Sequence, residues 1–231
     1  MAEEMSLALN DGRRLPQLGF GVWQVSDGEA ETAVARAIEA GYRLIDTAAG
    51  YGNEAGVGRG LRASRVPRSE IFVTTKLANA EQGDHDATMR AFDASLKRLG
   101  TDYVDLYLIH WPRPGAGLYP GVWKAFVRLK EEGRARSIRV SNFTPATLER
   151  IIGETGVTPA LNQIELHPRF QQKAMRETDA QLGIVTQSWS PLGRGRVTGN
   201  ADLVEIGRAY GKTWAQVVIR WHLQNLSLIH I

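Results

Sequence analysis

Three apolar segments of this chain each end on an ionisable side chain, and a tyrosine closely follows the first of them. The segments end at Asp46, Lys76 and His110, and Tyr51 is the tyrosine. A lysine ammonium beside a tyrosine favours the phenolate, so it can bring the tyrosine pKa of ~10 nearer neutrality. An aspartate would hold the lysine, and a histidine would orient a polar group by hydrogen bonding. The four residues therefore predict proton transfer to an oxygen that gains negative charge.

The alternation of side chains predicts that these ionisable groups point into one core. Residues of equal parity share a face of a strand. The residues that share a face with the ionisable group of their own segment are Leu44, Phe72, Thr74, Val104, Leu106 and Leu108. If the strands are parallel, their C-terminal ends meet at the top of a barrel, which is where barrel active sites lie.

Each of these residues alone also has an ordinary structural interpretation. A lone Asp at a strand end is more often a helix cap or a turn residue. A lone His is more often a satisfied core or surface group, and Tyr51 alone would be a loop aromatic. Lys76 is harder to explain in this way, because a buried lysine is costly unless a carboxylate is near. The combination is what favours a functional site.

The motifs around these residues resemble those of the aldo-keto reductase family, and most closely the bacterial 2,5-diketo-D-gluconate reductase type. The resemblance covers about residues 6–224 in one colinear order and is carried by GYRLIDTAAGYGNE, IFVTTKL, DLYLIHWP, VSNF, NQIELHP and SWSPLG. It implies an α/β fold, a (β/α)8 barrel, that binds NADPH and reduces a carbonyl. It also matches Asp46, Tyr51, Lys76 and His110 to the catalytic tetrad of the family.

The resemblance further implies where the cofactor and the substrate bind. The matched residues are Ser141, Asn142 and Gln163 for the nicotinamide carboxamide, Trp189 for stacking on the ring, and Ser190, Pro191, Leu192 and Gly193 along the pyrophosphate. Arg194 is well placed to add positive charge beside this pyrophosphate loop and is included in the expected cofactor site. Trp23 and Trp111 are expected to wall the substrate pocket, which Ala78 leaves more open than an aromatic would. Without the resemblance, Ser141-Asn142 would be interpreted as a helix-start turn and Trp189 as a core residue.

The composition favours one folded domain over residues 1–231. This length suits a single α/β barrel, slightly below the typical ~250 residues. A hydrophobic share of 43% and a charged share of 23% predict a sizeable core and argue against disorder. The net charge of +3, from 28 basic and 25 acidic residues, gives little support to a nucleic-acid partner. We expect a monomer whose partner is a small carbonyl-bearing molecule.

The residue types present also argue against disulfides, metal sites, a signal peptide and membrane-spanning segments. The absence of cysteine excludes disulfides and thiolate metal sites. The remaining histidines, His85, His167, His222 and His230, make no metal-ligand spacing, so no metal site is predicted. The acidic N-terminus lacks the features of a signal peptide, and no apolar run approaches the ~20 residues that span a bilayer. We therefore expect a cytoplasmic protein with no membrane partner.

Strands and helices alternate along the chain, which predicts parallel pairing with right-handed crossovers. Residues 6–10 and 14–18 flank Asp11-Gly12, a hairpin signal, and in the resembled family such a hairpin plugs the bottom of the barrel. The additional barrel strands are expected at residues 19–23, 137–140, 161–164 and 184–187.

Apolar residues at helical spacing predict the helices between these strands. They are Ala30, Ala33, Val34, Ala37 and Ile38 in one helix, Met89, Phe92, Leu96 and Leu99 in another, and Leu148, Ile151 and Ile152 in a third. Gly41 is expected beyond the end of the first helix and Gly153 at the end of the third. Gly56, Gly58 and Gly60 fall in the helix after Tyr51, so we assign them no phosphate site.

The C-terminal stretch departs from the pattern of the resembled family. A Thr213-x-x-Gln216 capping box predicts a helix, and residues 226–231 are apolar enough to form an eighth strand. In the family an IPKS-like motif, an Arg and an Asn that hold the adenosine 2′-phosphate, and a last helix follow. The sequence thus predicts a C-terminally truncated barrel with a foreign last few residues, an eighth strand open to doubt and no last helix. Such a chain is expected to bind NADPH weakly and scarcely to prefer it to NADH.

Two other functions stay open from the sequence. A desolvated lysine on a barrel strand can attack a carbonyl, which would make the protein a Schiff-base aldolase; the proximity of Asp46 to Lys76 argues against it. The barrel could also bind a nucleotide without efficient catalysis, since the C-terminal cofactor segment is missing.

Overall fold

The computed structural model describes residues 6–225 and 228–230, and over these residues the chain forms a closed barrel of parallel strands. The barrel strands are β3 (Leu18–Gly21), β4 (Leu44–Asp46), β5 (Phe72–Leu77), β6 (Leu106–Ile109), β7 (Ile138–Ser141), β8 (Leu161–Glu165), β9 (Val185–Trp189) and β10 (Leu228–His230). They follow one another around the barrel in chain order, and β10 pairs with both β9 and β3. The predicted eighth strand is thus formed by β10, whereas residues 226, 227 and 231 lie outside the described residues.

Helices lie between the strands along the chain. They are α1 (Asp27–Glu39), α2 (Glu54–Ala63), α3 (His85–Leu99), α4 (Tyr119–Glu131), α5 (Pro145–Thr155), α6 (Lys173–Gln181), α7 (Ala201–Ala209) and α8 (Trp214–Gln224). The capping box predicted at the start of α8 is present, with reciprocal hydrogen bonds between Thr213 and Gln216. Gly153 does not end α5 as predicted. The helix continues to Thr155 because Gly156, with a φ of 68°, adopts the left-handed conformation that ends it.

An antiparallel hairpin precedes the barrel. Its strands, β1 (Ser6–Ala8) and β2 (Arg14–Pro16), are joined through a turn in which Gly12 has a φ of 83°. Leu9 and Leu15 of the hairpin pack against apolar side chains from the barrel interior. We call this group the inner cluster; it comprises Leu9, Leu15, Leu44, Leu106, Leu108, Ala160 and Leu161. The hairpin therefore contacts the interior core, as the predicted plug requires.

A second and larger apolar cluster lies between the helices and the outer face of the barrel. The predicted faces of α1 and α3 contribute Val34, Ile38, Phe92 and Leu96 to it. Val104 also belongs to this outer cluster, which corrects the prediction that it shares a face with Leu106 and Leu108. The reason is that β6 begins only at Leu106, so the alternation does not extend back to Val104.

Three glycines of α2 allow close packing with neighbouring helices. A Cβ atom on Gly56 would lie 2.0 Å from the Asp27 carbonyl oxygen at the start of α1, and one on Gly58 would lie 2.1 Å from the Leu99 carbonyl oxygen at the end of α3. Gly60 is similarly close to α1. The spacing that resembles a phosphate loop thus has a packing cause.

Candidate active site

Lys76 lies at the centre of a buried hydrogen-bonded group at the carboxyl ends of β4 and β5. Its ammonium donates to the Asp46 carboxylate, to the Thr47 carbonyl oxygen at 2.9 Å and to the Tyr51 hydroxyl oxygen at 3.2 Å. The Lys76 and Asp46 side chains are fully buried. Burial disfavours the lysine charge, but the attraction of Asp46 and Tyr51 outweighs it, so the pKa of Lys76 lies above its ordinary value. The lysine is therefore a charged and fully hydrogen-bonded group.

Tyr51 ends a short 3-10 turn, Ala49–Tyr51, that follows β4. Burial raises the pKa of its phenol above the ordinary value, and the Lys76 charge offsets only part of this rise. The sequence had suggested a pKa brought nearer neutrality. The desolvation of the ring outweighs the effect of the lysine charge, so Tyr51 is a protonated phenol that can donate its proton.

His110 follows directly after β6 and faces the same space as Tyr51. The two rings make an edge contact, with their centroids 5.7 Å apart. Burial and the nearby Lys76 charge lower the pKa of His110 to about 4. At neutral pH the imidazole is therefore uncharged, and one ring nitrogen can donate a hydrogen bond while the other accepts.

A cleft of about 480 Å³ opens above this group. Among the residues assigned to a site from the sequence, those that line it are Trp23, Tyr51, His110, Trp111, Ser141, Asn142, Gln163, Trp189, Ser190, Pro191, Leu192 and Arg194. Asp46 and Lys76 are absent from its lining; they are buried and connect to it through Tyr51. Gly193 is absent as well, and a Cβ atom on it would lie 3.5 Å from the His167 ring. Trp23 and Trp111 are the large exposed aromatics of the cleft, each 44% exposed.

The residues matched to the nicotinamide are bonded to one another and to the tetrad. The Ser141 hydroxyl donates to the Gln163 carbonyl oxygen at 2.8 Å, and the Trp189 indole donates to Asn142 Oδ1 at 2.9 Å. Asn142 Nδ2 donates to the His110 carbonyl oxygen at 3.1 Å. Asn142 holds a φ of 62°, uncommon for a residue with a side chain, and this places its amide between β7 and the neighbouring strand ends.

Gln163 connects this side of the cleft to Asp46. Its Nε2 atom donates to Asp46 Oδ2 at 3.1 Å and to Gln187 Oε1 at 2.9 Å. Gln187 was not predicted from the sequence. Gln187 lies opposite Gln163 in the register of β8 and β9. It has the same parity as Trp189, so the sequence already placed a polar side chain on the interior face of β9, and this was the signal that could have identified it.

A second interior residue that sequence reasoning missed is Arg139 on β7. It is fully buried, and its three side-chain nitrogens have no hydrogen-bond partner among the described residues. Burial lowers its pKa, which the charges of Asp11 and Asp46 only partly offset. Its parity with Ser141 was the signal that places it inside the barrel.

The tetrad and the nicotinamide-side residues occupy different arcs of the barrel. Asp46, Tyr51, Lys76 and His110 lie on or directly after β4, β5 and β6, whereas Ser141, Asn142, Gln163 and Trp189 lie on or directly after β7, β8 and β9. Within the described part of the chain, no group of three or more His, Asp or Glu side chains is placed to hold a metal ion. No described helix is both long and apolar enough to cross a membrane.

Residues 17–229 match the model of the Aldo/keto reductase family. The chain belongs to this family. An aldo-keto reductase of Mycobacterium sp. (strain KMS) is 54% identical over 223 residues, which cover 96% of this chain and 80% of the relative. One from Mycolicibacterium smegmatis is also 54% identical, over 96% of this chain and 81% of its own length. This aldo-keto reductase thus spans about four fifths of the length of these relatives, and the predicted loss of the 2′-phosphate ligands stays a prediction.

Two solved structures share the fold. The aldo/keto reductase from Brucella melitensis superimposes with a TM-score of 0.95 at 52% identity, covering 99% of this chain and 88% of its own. A mutant of Gox0644 in complex with NADPH has a TM-score of 0.95 at 48% identity, covering 99% of this chain and 83% of its own. At these identities the likeness extends from the fold to the family.

Proposed function

We propose that this aldo-keto reductase uses NADPH to reduce a carbonyl to an alcohol, with Tyr51 as the proton donor. The substrate is a small ketone, an aldehyde or a keto-sugar acid such as 2,5-diketo-D-gluconate. The observation that carries the proposal is the phenol of Tyr51, bonded to the buried Lys76 and facing the same cleft as His110. The NADPH complex of the Gox0644 mutant supports the choice of cofactor.

The described residues fit the nicotinamide end of this cofactor. One side of the cleft presents the hydroxyl of Ser141 and the amides of Asn142 and Gln163, which match the donor and acceptor groups of a carboxamide. The indole of Trp189 offers an aromatic face beside them for the ring. Ser190, Pro191, Leu192 and Gly193 would follow the pyrophosphate. When bound, NADPH supplies the hydride for the reaction.

The tetrad residues then divide the proton chemistry. The neutral His110 donates a hydrogen bond that orients the carbonyl oxygen in the cleft. Tyr51 transfers its proton to this oxygen as negative charge develops there. The Lys76 ammonium stabilises the phenolate that remains, and Asp46 holds the ammonium in place. Proton transfer from a positioned side chain typically contributes ~10²–10⁴-fold to the rate.

The geometry disfavours the aldolase function. A nucleophilic lysine must be an uncharged amine with a free lone pair, whereas Lys76 donates to three oxygens and its pKa is raised. Sodium borohydride treatment with a carbonyl substrate is expected to leave Lys76 unmodified. A borohydride-stable adduct on Lys76, seen by mass spectrometry, would restore the aldolase proposal.

The direct test of reduction is a fluorescence titration with NADPH followed by turnover with a panel of dicarbonyls. We expect saturable binding and consumption of NADPH that depends on the carbonyl. Binding without turnover across the panel would favour a nucleotide-binding barrel without catalysis. We propose that the protein acts as a monomer, which size-exclusion chromatography with light scattering would test.

A further inference from the structure

The guanidinium of Arg194 crosses the cleft from one wall to the other. Its central carbon lies 4.4 Å from the centroid of the Trp23 ring and 5.3 Å from that of Trp189. The side chain comes from the segment after β9, where Arg194 has a φ of 50°, and its Nε atom donates to Ser190 Oγ at 3.1 Å. The backbone conformation and this hydrogen bond direct the guanidinium into the cleft, where it lies between Trp23 and Trp189.

This positive charge has no acidic partner among the described residues. The neighbouring Arg196 differs in this respect, because its Nη1 atom lies 3.3 Å from the Glu165 carboxylate. Arg194 lines the cleft together with Tyr51 and His110. An unneutralised cation therefore lies beside the place where a carbonyl would be protonated.

We propose that Arg194 binds a carboxylate of the substrate, so that this enzyme prefers carbonyl compounds that carry an acid group. The inference rests on the proposed reductase function. A planar guanidinium recognises a carboxylate through two parallel hydrogen bonds. When a guanidinium lies over the face of an indole, its N–H groups at the edge stay available for such bonds. The contact with the indole also restricts the orientation of the guanidinium plane. The sequence predicted that Arg194 adds charge beside the cofactor pyrophosphate. The contact of its guanidinium with Trp23, a proposed substrate wall, favours a substrate carboxylate as the anion bound instead.

The inference can be tested with two substrates that differ in one charge. 4-Carboxybenzaldehyde and its methyl ester carry the same aldehyde on the same ring. We expect the parent enzyme to have the higher kcat/KM for the acid. In Arg194→Gln the acid-to-ester ratio of kcat/KM should fall by about tenfold or more, the range of one charge-assisted hydrogen bond. Arg194→Lys should restore part of the ratio, since it returns the charge without the planar fork.

Two controls separate this role from others. Arg196→Gln removes a cation from the same segment that is already paired, and it should leave the ratio as in the parent. NADPH affinity, measured by fluorescence in the absence of substrate, should be similar in the parent and in Arg194→Gln. Added salt should lower the ratio in the parent and not in Arg194→Gln, because ions screen an exposed charge pair.

Several outcomes would overturn the inference. Equal kcat/KM for acid and ester in the parent would remove it while leaving carbonyl reduction intact. If Arg194→Gln lowered kcat/KM equally for the acid and the ester and also weakened NADPH binding, the guanidinium would bind the cofactor pyrophosphate rather than the substrate. Tighter NADPH binding in that variant would show that Arg194 only occupies the ligand-free cleft. Failure of the parent to reduce either aldehyde would contradict the proposed function itself.

Discussion

The Gln163 amide nitrogen lies 3.1 Å from the Asp46 carboxylate, so a residue matched to the cofactor also holds the aspartate of the tetrad. An ionised carboxylate can only accept hydrogen bonds, which fixes the amide with its NH₂ group towards Asp46. The same NH₂ group donates to Gln187. Gln187, Gln163, Asp46, Lys76 and Tyr51 therefore form one continuous chain of hydrogen bonds from β9 to the proton donor.

Gln187→Leu is expected to release Gln163 and weaken both ends of this chain. The leucine removes the acceptor that fixes the amide, so NADPH should bind about tenfold more weakly, the cost of roughly one such hydrogen bond. The pH dependence of kcat should shift as well, because Asp46 is held less firmly. Fluorescence titration and pH–rate profiles measure the two effects. Gln187→Glu keeps the acceptor oxygen and should bind NADPH more tightly than the leucine variant; equal binding in the parent and Gln187→Leu would contradict the role.

Tyr51→Phe is expected to abolish carbonyl reduction and leave cofactor binding nearly unchanged. The substitution removes the proton donor but keeps the ring that contacts His110. We expect kcat to fall by about a hundredfold or more, with the NADPH dissociation constant close to that of the parent. Turnover within a few-fold of the parent would show that another group supplies the proton.

Lys76→Met is expected to be both inactive and unstable. It removes the charge beside Tyr51 and leaves Asp46 buried without its ammonium, a loss that costs about 3–5 kcal/mol for a buried ion pair. Urea unfolding measures the stability. The double variant Asp46→Asn/Lys76→Met removes both charges and should recover much of the stability while staying inactive. A double variant no more stable than Lys76→Met would argue that the ion pair is not the source of the loss.

Arg139→Met is expected to stabilise the protein. The guanidinium is fully buried and makes no hydrogen bond to the described residues, so only the attraction of carboxylates such as those of Asp11 and Asp46 partly offsets its desolvation. An unbranched apolar methionine should raise the free energy of unfolding by about 1–4 kcal/mol, the range found when buried ion pairs are replaced by apolar residues. Thermal and urea unfolding would show this gain. A less stable variant would mean that ordered water or an ion satisfies the guanidinium.

The stability of the protein should fall as pH rises towards neutrality because of Asp179. Burial raises the pKa of this carboxyl to about 7, although Thr186 and Asn162 donate hydrogen bonds to it. Between a pH of about 4 and 7 the folded state keeps a proton that the unfolded state has lost. The free energy of unfolding therefore decreases with pH, at the steepest by about 1.4 kcal/mol per pH unit. Asp179→Asn should flatten this slope and gain stability at pH 8 but not at pH 4; an unchanged slope would exclude Asp179 as its source.

Alternation along the strands was sufficient to predict which residues meet, but not how they bond. It placed Asp46 and Lys76 inside the barrel correctly, because β4 is buried over its whole length and β5 is buried at every residue after Phe72. It failed at Val104, where the chain has not yet entered β6. The bonds of Gln163 to Asp46 and Gln187 depend on the stagger between strands, which no spacing within one strand contains.

Other features depend on properties that appear only in three dimensions. The pKa of Tyr51 shifts upward because the ring is buried. The sequence motif shows only the neighbouring lysine, which by itself predicts a downward shift. The direction of Arg194 follows from a backbone with positive φ, which glycine would signal in a sequence but arginine does not. The end of α5 was misplaced because Gly153 and Gly156 are both glycines, and only the conformation distinguishes them.

The separation of the two groups of residues onto β4–β6 and β7–β9 has a consequence for how such a gene can diversify. A single recombination event near the end of α4 would transmit the tetrad from one parent and the nicotinamide-side residues from the other as intact blocks. Two hydrogen bonds connect the nicotinamide-side residues to the tetrad residues, and they determine which residues both parents must have in common. Asn142 donates to the backbone carbonyl oxygen of residue 110, which any side chain at that position would leave in place. Gln163 donates to the side-chain carboxylate of Asp46, so this bond is kept only if both residues are kept. Offspring of parents that both keep this pair could therefore combine an intact tetrad with a different set of nicotinamide-side residues.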